Sequence, residues 1–194
     1  MQVLKERIQA EGVNLGSGIL KIDSLLNHQI YPDLMVEMGR EMARRFEGVA
    51  IDRILTAEIS GIAPALTTAM VLGVPVVYAR KKKPITMAGP VYLETAPSHT
   101  KGGDVSLLVS AEFFIPGEKV LIVDDFLATG QTLLALARMV KSAKCELVGV
   151  GTVVEKEFEG GRALLHKNGY SDIPVEALVV ITNMDDGKIE MAGD

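Results

Sequence analysis

One stretch, between residues 120 and 132, constrains this chain more than any other. Its sequence, VLIVDDFLATGQT, joins four apolar residues to two adjacent carboxylates and then to a loop of small and hydroxylated residues. An unbroken apolar run predicts a strand buried on both faces, and the LLALARMV pattern that follows predicts a helix. Main-chain N–H groups at the start of a helix bind anions. We therefore expect an anion site at the carboxyl end of a buried strand, where open α/β sheets bind ligands.

The two halves of this motif cannot hold the same group of a ligand, because a phosphate beside two carboxylates is repelled. We assign a phosphate to the main-chain amides of the ATGQT loop and to the hydroxyls of Thr129 and Thr132. Asp124 and Asp125 then accept hydrogen bonds from hydroxyls or face a metal-bound group. A ribose 5-phosphate that carries pyrophosphate at C1 presents these features in this order.

The motif resembles the phosphoribosyl pyrophosphate site of the type I phosphoribosyltransferases, in which two acidic residues after a strand precede a small-Thr-Gly-x-Thr loop. The resemblance implies an α/β fold with a central, mainly parallel sheet flanked by helices and a small hood over the base site. It implies a single domain over residues 1–194, with the hood formed by about 1–30 and 155–194. It also implies which residues bind the donor's 5-phosphate: Ala128, Thr129, Gly130, Gln131 and Thr132.

Hydrophobic periodicity places the other elements around this motif. It predicts helices at 3–10, 32–46, 63–72, 132–143 and 162–167. Strands are predicted at 51–57, 74–79, 105–109, 119–123, 147–154, 175–181 and 188–191. Strand–helix–strand alternation with short connections is typical of a parallel sheet covered by helices.

Two further segments follow predicted strands and face the same edge of the sheet. In the family, the turn that corresponds to Ile59, Ser60 and Gly61 contributes backbone groups to the pyrophosphate; a helix cap by Ser60 is the alternative. The run Arg80–Lys83 follows the next strand, where similar enzymes place a cation against the leaving pyrophosphate. We choose Lys81 first and Lys82 second, and the alternative is a solvated charge run.

The Pro- and Gly-rich stretch from Arg80 to Gly103 is predicted to be irregular, and its part from Pro84 onward to close as a lid that excludes water. His99 and Lys101 on this lid are further candidates to reach the pyrophosphate. The SHTKG sequence here departs from the segment of adenine-using members. The predicted catalytic residues are therefore Asp124, Asp125 and Lys81. We expect no protein metal site, because Mg²⁺ arrives with phosphoribosyl pyrophosphate.

The acceptor base needs a separate pocket, for which Leu20, Asn27 and Lys156 are the candidates. The VVEKEFEGGRALL segment resembles that of adenine phosphoribosyltransferases but carries Lys156 where those enzymes have an apolar residue. A cation aimed at the base suits a 6-oxopurine, and xanthine in particular, because xanthine has two oxo groups and ionises readily. Guanine and hypoxanthine are the alternative substrates. Alternatively, Lys156 pairs with Glu155 or Glu157 on the surface.

The expected activity is thus that of a glycosyltransferase in purine salvage, working in the cytoplasm as a homodimer, since enzymes of this type usually pair. The net charge of −5 argues against nucleic-acid binding, and no apolar run is long enough for a membrane span. Three histidines and one cysteine make no zinc site.

A second function stays open because some purine-responsive bacterial regulators carry a similar domain that binds the sugar pyrophosphate without reacting it. Their loop follows an Ile-Asp-Asp-Phe pattern, which is close to Val123–Phe126. Such regulators need a DNA-binding module ahead of this domain. Only 31 residues precede Pro32, at the start of the first long predicted helix, so we expect the enzyme.

Overall fold

The computed structural model describes residues 1–97 and 103–193. Within these ranges the helices are α1 (Gln2–Glu11), α2 (Pro32–Arg45), α3 (Ile62–Leu72), α4 (Gln131–Ser142) and α5 (Gly161–Lys167). The first strands are β1 (Val13–Asn14), β2 (Leu20–Lys21), β3 (Arg53–Ala57), β4 (Val76–Ala79) and β5 (Val91–Pro97). The others are β6 (Asp104–Ser110), β7 (Lys119–Leu127), β8 (Glu146–Lys156), β9 (Val175–Asn183) and β10 (Glu190–Met191).

A mainly parallel sheet organises the described residues, with the strand order β10-β9-β8-β7-β3-β4. The four pairings from β9 to β4 are parallel, and β10 is antiparallel to β9. The apolar start of β7, Val120–Val123, is fully buried, because both faces of the sheet are covered. Helices α2 and α3 contribute to the core on one face, and α4 to the core on the other.

Local sequence explains how closely the helices approach the sheet. Pro32 lies in the first turn of α2, where a missing N–H costs nothing, and Gly73 ends α3 with φ 71°. Helix α2 packs on β8 over two glycines. A Cβ on Gly149 would lie 2.5 Å from the Phe46 ring, and one on Gly151 would lie 2.5 Å from Met42 Sδ. These glycines therefore set the distance between helix and sheet.

Two predictions about the segment before β7 are wrong. Residues 91–97 are not irregular but form β5, and 105–109 do not rejoin the central sheet. Strand β6 pairs instead with β5, antiparallel from Val91↔Ser110 to Pro97↔Asp104. The hairpin forms because Leu107 and Val109 are buried in the same core as α4. Only the bridge between Arg80 and Leu108 connects the described part of this hairpin to the end of β4.

The two ends of the chain meet beside the sheet. Asn14 Nδ2 donates hydrogen bonds to the Met184 carbonyl at 2.6 Å and to the Lys188 carbonyl at 2.8 Å. A π-helical turn at Asp23–Asn27, which the sequence did not predict, then leads towards α2. In the described part of the chain, no helix is long and apolar enough to cross a membrane.

Candidate active site

A pocket of about 440 Å³ opens where β3, β4, β7 and β8 end. The hairpin contributes one wall through Ala96, Pro97, Val105 and Leu107. The pocket also contains most of the predicted site: Leu20, Asn27, Ser60, Gly61, Lys81, Asp124, Asp125, Ala128, Thr129, Gly130, Gln131, Thr132 and Lys156. Residues that the chain separates by more than 100 positions are thus brought to one cavity. His99 and Lys101 lie outside the described residues.

The loop between β7 and α4 has the geometry of an anion site. Gly130 precedes α4 with φ 79°, a conformation that glycine adopts without strain, and no side chain caps the helix. The first intrahelical bond runs from the Leu134 amide to the Gly130 carbonyl at 2.9 Å. The amides before Leu134 have no acceptor within the helix, and residues 128–133 line the pocket. The loop therefore presents donors to a ligand.

The two carboxylates lie directly before this loop. Asp124 is 4% exposed, and its Oδ1 accepts a hydrogen bond from Thr56 Oγ1 at 3.2 Å. Burial raises the pKa of Asp124 well above its ordinary value, and the charge of Asp125 raises it further. Burial also raises the pKa of Asp125, while the charge of Lys81 acts to lower the pKa of both. The pair is thus short of positive charge and of hydrogen-bond donors.

The turn after β3 packs tightly against the carboxylates. A Cβ on Gly61 would lie 2.0 Å from Asp124 Oδ1 and 2.2 Å from Thr56 Oγ1, so only glycine fits. The capping role considered for Ser60 is wrong, because Gly61 is the N-cap and no side chain caps α3. The Ser60 hydroxyl instead accepts a hydrogen bond from Asn27 Nδ2 at 3.0 Å.

The basic run after β4 is tied to the same turn through Glu58. Its Oε1 accepts a hydrogen bond from the Lys81 amide at 2.7 Å, and its Oε2 pairs with Arg80 Nε at 2.8 Å. All three lysines of this run are exposed, but Lys81 lines the pocket, whereas Lys82 and Lys83 do not. Glu58 thereby positions Lys81, a role that the sequence analysis missed. Its place directly after a site-facing strand was the available signal.

At the other end of the pocket, Lys156 is 6% exposed. Its Nζ donates a hydrogen bond to the Gly18 carbonyl at 2.9 Å, forms an ion pair with Glu159 and lies 5.9 Å from the centre of the Phe126 ring. The alternative of a surface pair with Glu155 or Glu157 is wrong, since the ion pair is buried and Glu159 is the partner. Phe126 was not predicted as a site residue, although it directly follows the acid pair.

Asn27 links the hood region to the carboxylates. Besides Ser60, its Nδ2 reaches Asp125 Oδ2 at 3.3 Å. The side chain predicted to contact a base therefore also lies beside the acid pair, and a ligand that displaces this hydrogen bond would contact both residues.

No three His, Cys, Asp or Glu side chains among the described residues form a group that could hold a metal ion. The donor set nevertheless fits a cation carried on a ligand's own oxygen atoms. Two neighbouring carboxylates with raised pKa values gain from positive charge nearby, and oxygen is the ligand that Mg²⁺ prefers.

Comparison with known proteins agrees with this geometry. The sequence profile of the family described as "Phosphoribosyl transferase domain" matches residues 36–173. A xanthine phosphoribosyltransferase from Deinococcus deserti is 52% identical over 187 residues, which cover 96% of this chain and 95% of that protein. One from Moorella thermoacetica is 46% identical, with 98% and 95% covered.

Solved structures show the same architecture. The crystal structure of adenine phosphoribosyltransferase from Thermoanaerobacter pseudethanolicus superposes with a TM-score of 0.75 at 25% identity, covering 91% of this chain and 99% of that one. The Saccharomyces cerevisiae enzyme gives a TM-score of 0.71 at 26% identity, covering 92% and 99%.

Proposed function

The chain belongs to the phosphoribosyltransferase family, and from that premise we propose that it transfers the 5-phosphoribosyl group from phosphoribosyl pyrophosphate to xanthine. The products are xanthosine 5′-monophosphate and pyrophosphate, and the reaction serves purine salvage. The family match, the relatives and the solved structures confirm the predicted family, glycosyltransferase activity and fold class. The observation that carries the proposal is one pocket in which the open amides of residues 128–132 adjoin the buried Asp124 and the half-buried Asp125.

The donor occupies the pocket from the α4 end to the β4 end. The amides of residues 128–132 bind the 5-phosphate, as helix N-termini do. Asp124 and Asp125 accept hydrogen bonds from the ribose hydroxyls. At Asp125 these hydroxyls replace the hydrogen bond from Asn27 Nδ2. The turn at Ser60 and Gly61 and the side chain of Lys81 face the pyrophosphate, because both border the same cavity.

Charge explains how these residues promote the reaction. When pyrophosphate leaves C1 ahead of the attacking base, positive charge develops on the sugar, and the two adjacent carboxylates stabilise it. Lys81 stabilises the negative charge of the leaving group. Mg²⁺ bound with the donor would add positive charge beside the leaving group. The hairpin wall excludes water, which would otherwise hydrolyse the sugar.

The base is proposed to bind between the hood and the end of β8. Ile19, Leu20 and Phe126 give this end of the pocket apolar faces, while Asn27 and Lys156 supply polar contacts. Xanthine suits this set, because its oxo groups accept from a cationic Nζ and its ionised form attacks without a general base. The names of the relatives above support xanthine over guanine and hypoxanthine.

The other expectations stay predictions. They are a homodimer, a cytoplasmic location, the absence of a nucleic-acid partner, one domain over residues 1–194 and a hood built from both ends of the chain. The contacts of Asn14 with the carbonyls of Met184 and Lys188 support the last of these.

A turnover assay tests the proposal. The purified protein is given phosphoribosyl pyrophosphate and Mg²⁺ with xanthine, guanine, hypoxanthine or adenine, and pyrophosphate release is measured for each. We expect the largest kcat/KM with xanthine. Binding of the donor without pyrophosphate release with any base would identify a sensing domain instead, and a preference for another base would overturn the assignment of xanthine.

Replacing Lys156 tests the base assignment separately. Lys156→Met keeps a long apolar side chain but removes the ammonium group near the Phe126 ring, so kcat/KM for xanthine should fall by about 10- to 100-fold, more than for hypoxanthine. Lys167→Ala, an exposed lysine on α5, is the control and should leave both values unchanged. Equal losses for all bases would mean that Lys156 acts only by holding Gly18 and Glu159.

A further inference from the structure

We propose that the ion pair between Glu155 and Arg162 positions the phosphate loop, because it holds helix α5 against the back of that loop. The inference rests on the proposed function, in which residues 128–132 bind the 5-phosphate. Neither Glu155 nor Arg162 is among the residues that line the pocket, so both act through the loop rather than on the substrate.

The first residue of α5 lies in direct backbone contact with the loop. A Cβ on Gly161 would lie 2.3 Å from the Ala128 carbonyl oxygen and 2.9 Å from the Gly130 nitrogen. In return, a Cβ on Gly130 would lie 2.8 Å from the Gly161 carbonyl oxygen. No side chain separates the two backbones, so a displacement of α5 acts on the loop at once.

The next residue of α5 fixes the helix to the central sheet. Arg162 Nε and Nη2 donate hydrogen bonds to the two oxygens of Glu155 at 3.0 and 2.5 Å, and Nη1 donates to the Val175 carbonyl at 2.7 Å. Glu155 is 3% exposed, and on β8 it is the register partner of Leu127, the residue before the loop. The pair therefore anchors α5 to the strand next to the one that carries the loop.

The two-point contact with Glu155 requires a guanidinium group. A planar fork that holds both oxygens of a buried carboxylate fixes direction as well as distance, and an ammonium group does not reproduce it. Amides bind an anion tightly only when they are held in place before the anion arrives. Losing the fork should therefore weaken phosphate binding more than it weakens binding elsewhere in the pocket.

The chain offers a matched control at the opposite end of the parallel strands. Arg53 Nε and Nη2 hold both oxygens of Glu118 at 2.7 and 2.8 Å, where β3 and β7 begin. This pair has the same two-point geometry on a largely buried carboxylate, and, like Glu155 and Arg162, neither residue lines the pocket, but it lies far from the loop. Its loss should cost stability without affecting the loop.

The experiment compares Arg162→Lys with Arg53→Lys and, as a second set, Glu155→Gln with Glu118→Gln. Calorimetry measures the Kd for ribose 5-phosphate, which uses the loop, and for Mg²⁺-pyrophosphate, which does not. We expect Arg162→Lys to weaken ribose 5-phosphate binding about tenfold or more and pyrophosphate binding less than about twofold. Both Kd values of Arg53→Lys should equal those of the wild type. Lysine keeps the charge opposite Glu155, so this variant tests the pair even if Glu155→Gln does not fold.

Equal Kd values for ribose 5-phosphate in Arg162→Lys and Arg53→Lys would overturn the inference, as would a parallel loss of both ligands in Arg162→Lys. Failure of the proposed function is distinguishable from these outcomes, because it is judged on the wild type. A wild type that binds ribose 5-phosphate but releases no pyrophosphate from the donor lacks the proposed activity, whatever the variants show.

Discussion

Asp124 and Asp125 lie where burial works against their charge. In the unliganded protein the pair has Thr56, Asn27 and the charge of Lys81 to offset desolvation, and the pKa of both nevertheless rises. Such a pair is kept at a cost in stability because a ligand uses it, and perturbed carboxylates in a cleft are typical of functional sites.

The sign of this effect gives a pH-dependent prediction for Asp124→Asn. The pKa of Asp124 is higher in the folded protein than in the unfolded chain, where it is about 3.8. As the pH rises above 3.8, the unfolded chain therefore loses its proton first, and the free energy of unfolding of the wild type falls. The variant escapes this loss, so it should be more stable than the wild type at pH 8 and about equally stable at pH 4. Turnover should fall about 100-fold.

Urea unfolding at several pH values measures the difference, and the exposed Asp172→Asn serves as the control. A stability difference between Asp124→Asn and the wild type that stays constant from pH 4 to pH 8 would contradict the assigned cause.

Gly61 allows a second prediction at this scale. In Gly61→Ala the new methyl group meets Asp124 and Thr56 at 2.0 and 2.2 Å and must displace the carboxylate, so kcat/KM should fall at least about tenfold. Gly39→Ala is the control, because its methyl group would lie 2.5 Å from the Thr67 backbone, between α2 and α3. Both variants should lose stability, and only Gly61→Ala should change steady-state kinetics. Equal kcat/KM values would show that the turn tolerates the methyl group.

At the scale of elements, a helix or strand was predicted where its sequence pattern lies within one continuous segment. Although β7 runs four residues past its predicted end, the order of strand, loop and helix from Lys119 to Ser142 was predicted, because a buried apolar run, a glycine and an amphipathic period all lie within one segment. The hairpin was not, because Pro90, Pro97 and several glycines around β5 indicated a loop. The β-branched and aromatic residues Val91, Tyr92 and Thr95 were the signal missed. The pairing of β6 with β5 was not predicted, because no local pattern in β6 specifies which strand is its partner.

The same distinction holds for the site. The residues of the 128–132 loop belong to one motif and were found together. The partners of Asn27 lie 33 and 98 positions away, and the contact of Lys156 with Gly18 spans 138 positions. The type of each side chain suggested a polar role, whereas its partners were decided by the fold that brings distant segments together.

The hairpin's role as a pocket wall can be tested by two truncations in one core. Leu107 and Leu136 are buried in the same cluster, but only Leu107 lines the pocket. Leu136→Ala should lower the free energy of unfolding by about 2–5 kcal/mol, and Leu107→Ala by less, since water can enter the enlarged pocket. Leu107→Ala alone should raise pyrophosphate release without a base, because the wall no longer excludes water. Similar base-free hydrolysis in both variants would contradict this role.

For the whole molecule, the pocket joins segments from the entire chain. The N-terminal turn with Asn27, the central strands with Asp124 and the end of β8 with Lys156 all border one cavity. A ligand that fills it stabilises the folded chain and not the unfolded one, so binding and stability are linked.

This linkage allows a test of where Mg²⁺ is held. Since the described residues include no cluster that could hold a metal ion, EDTA should leave the Tm of the unliganded protein unchanged and abolish turnover. Phosphoribosyl pyrophosphate with Mg²⁺, at about 100 times its Kd, should add about 2.7 kcal/mol to the free energy of unfolding, and much less when EDTA is present. The double variant Asp124→Asn/Asp125→Asn should lose most of this added stability, because the ribose hydroxyls lose their acceptors.

Thermal unfolding with and without the donor, each with and without EDTA, separates a metal carried by the donor from one resident in the protein. A fall in Tm caused by EDTA alone would mean that the chain binds the metal itself.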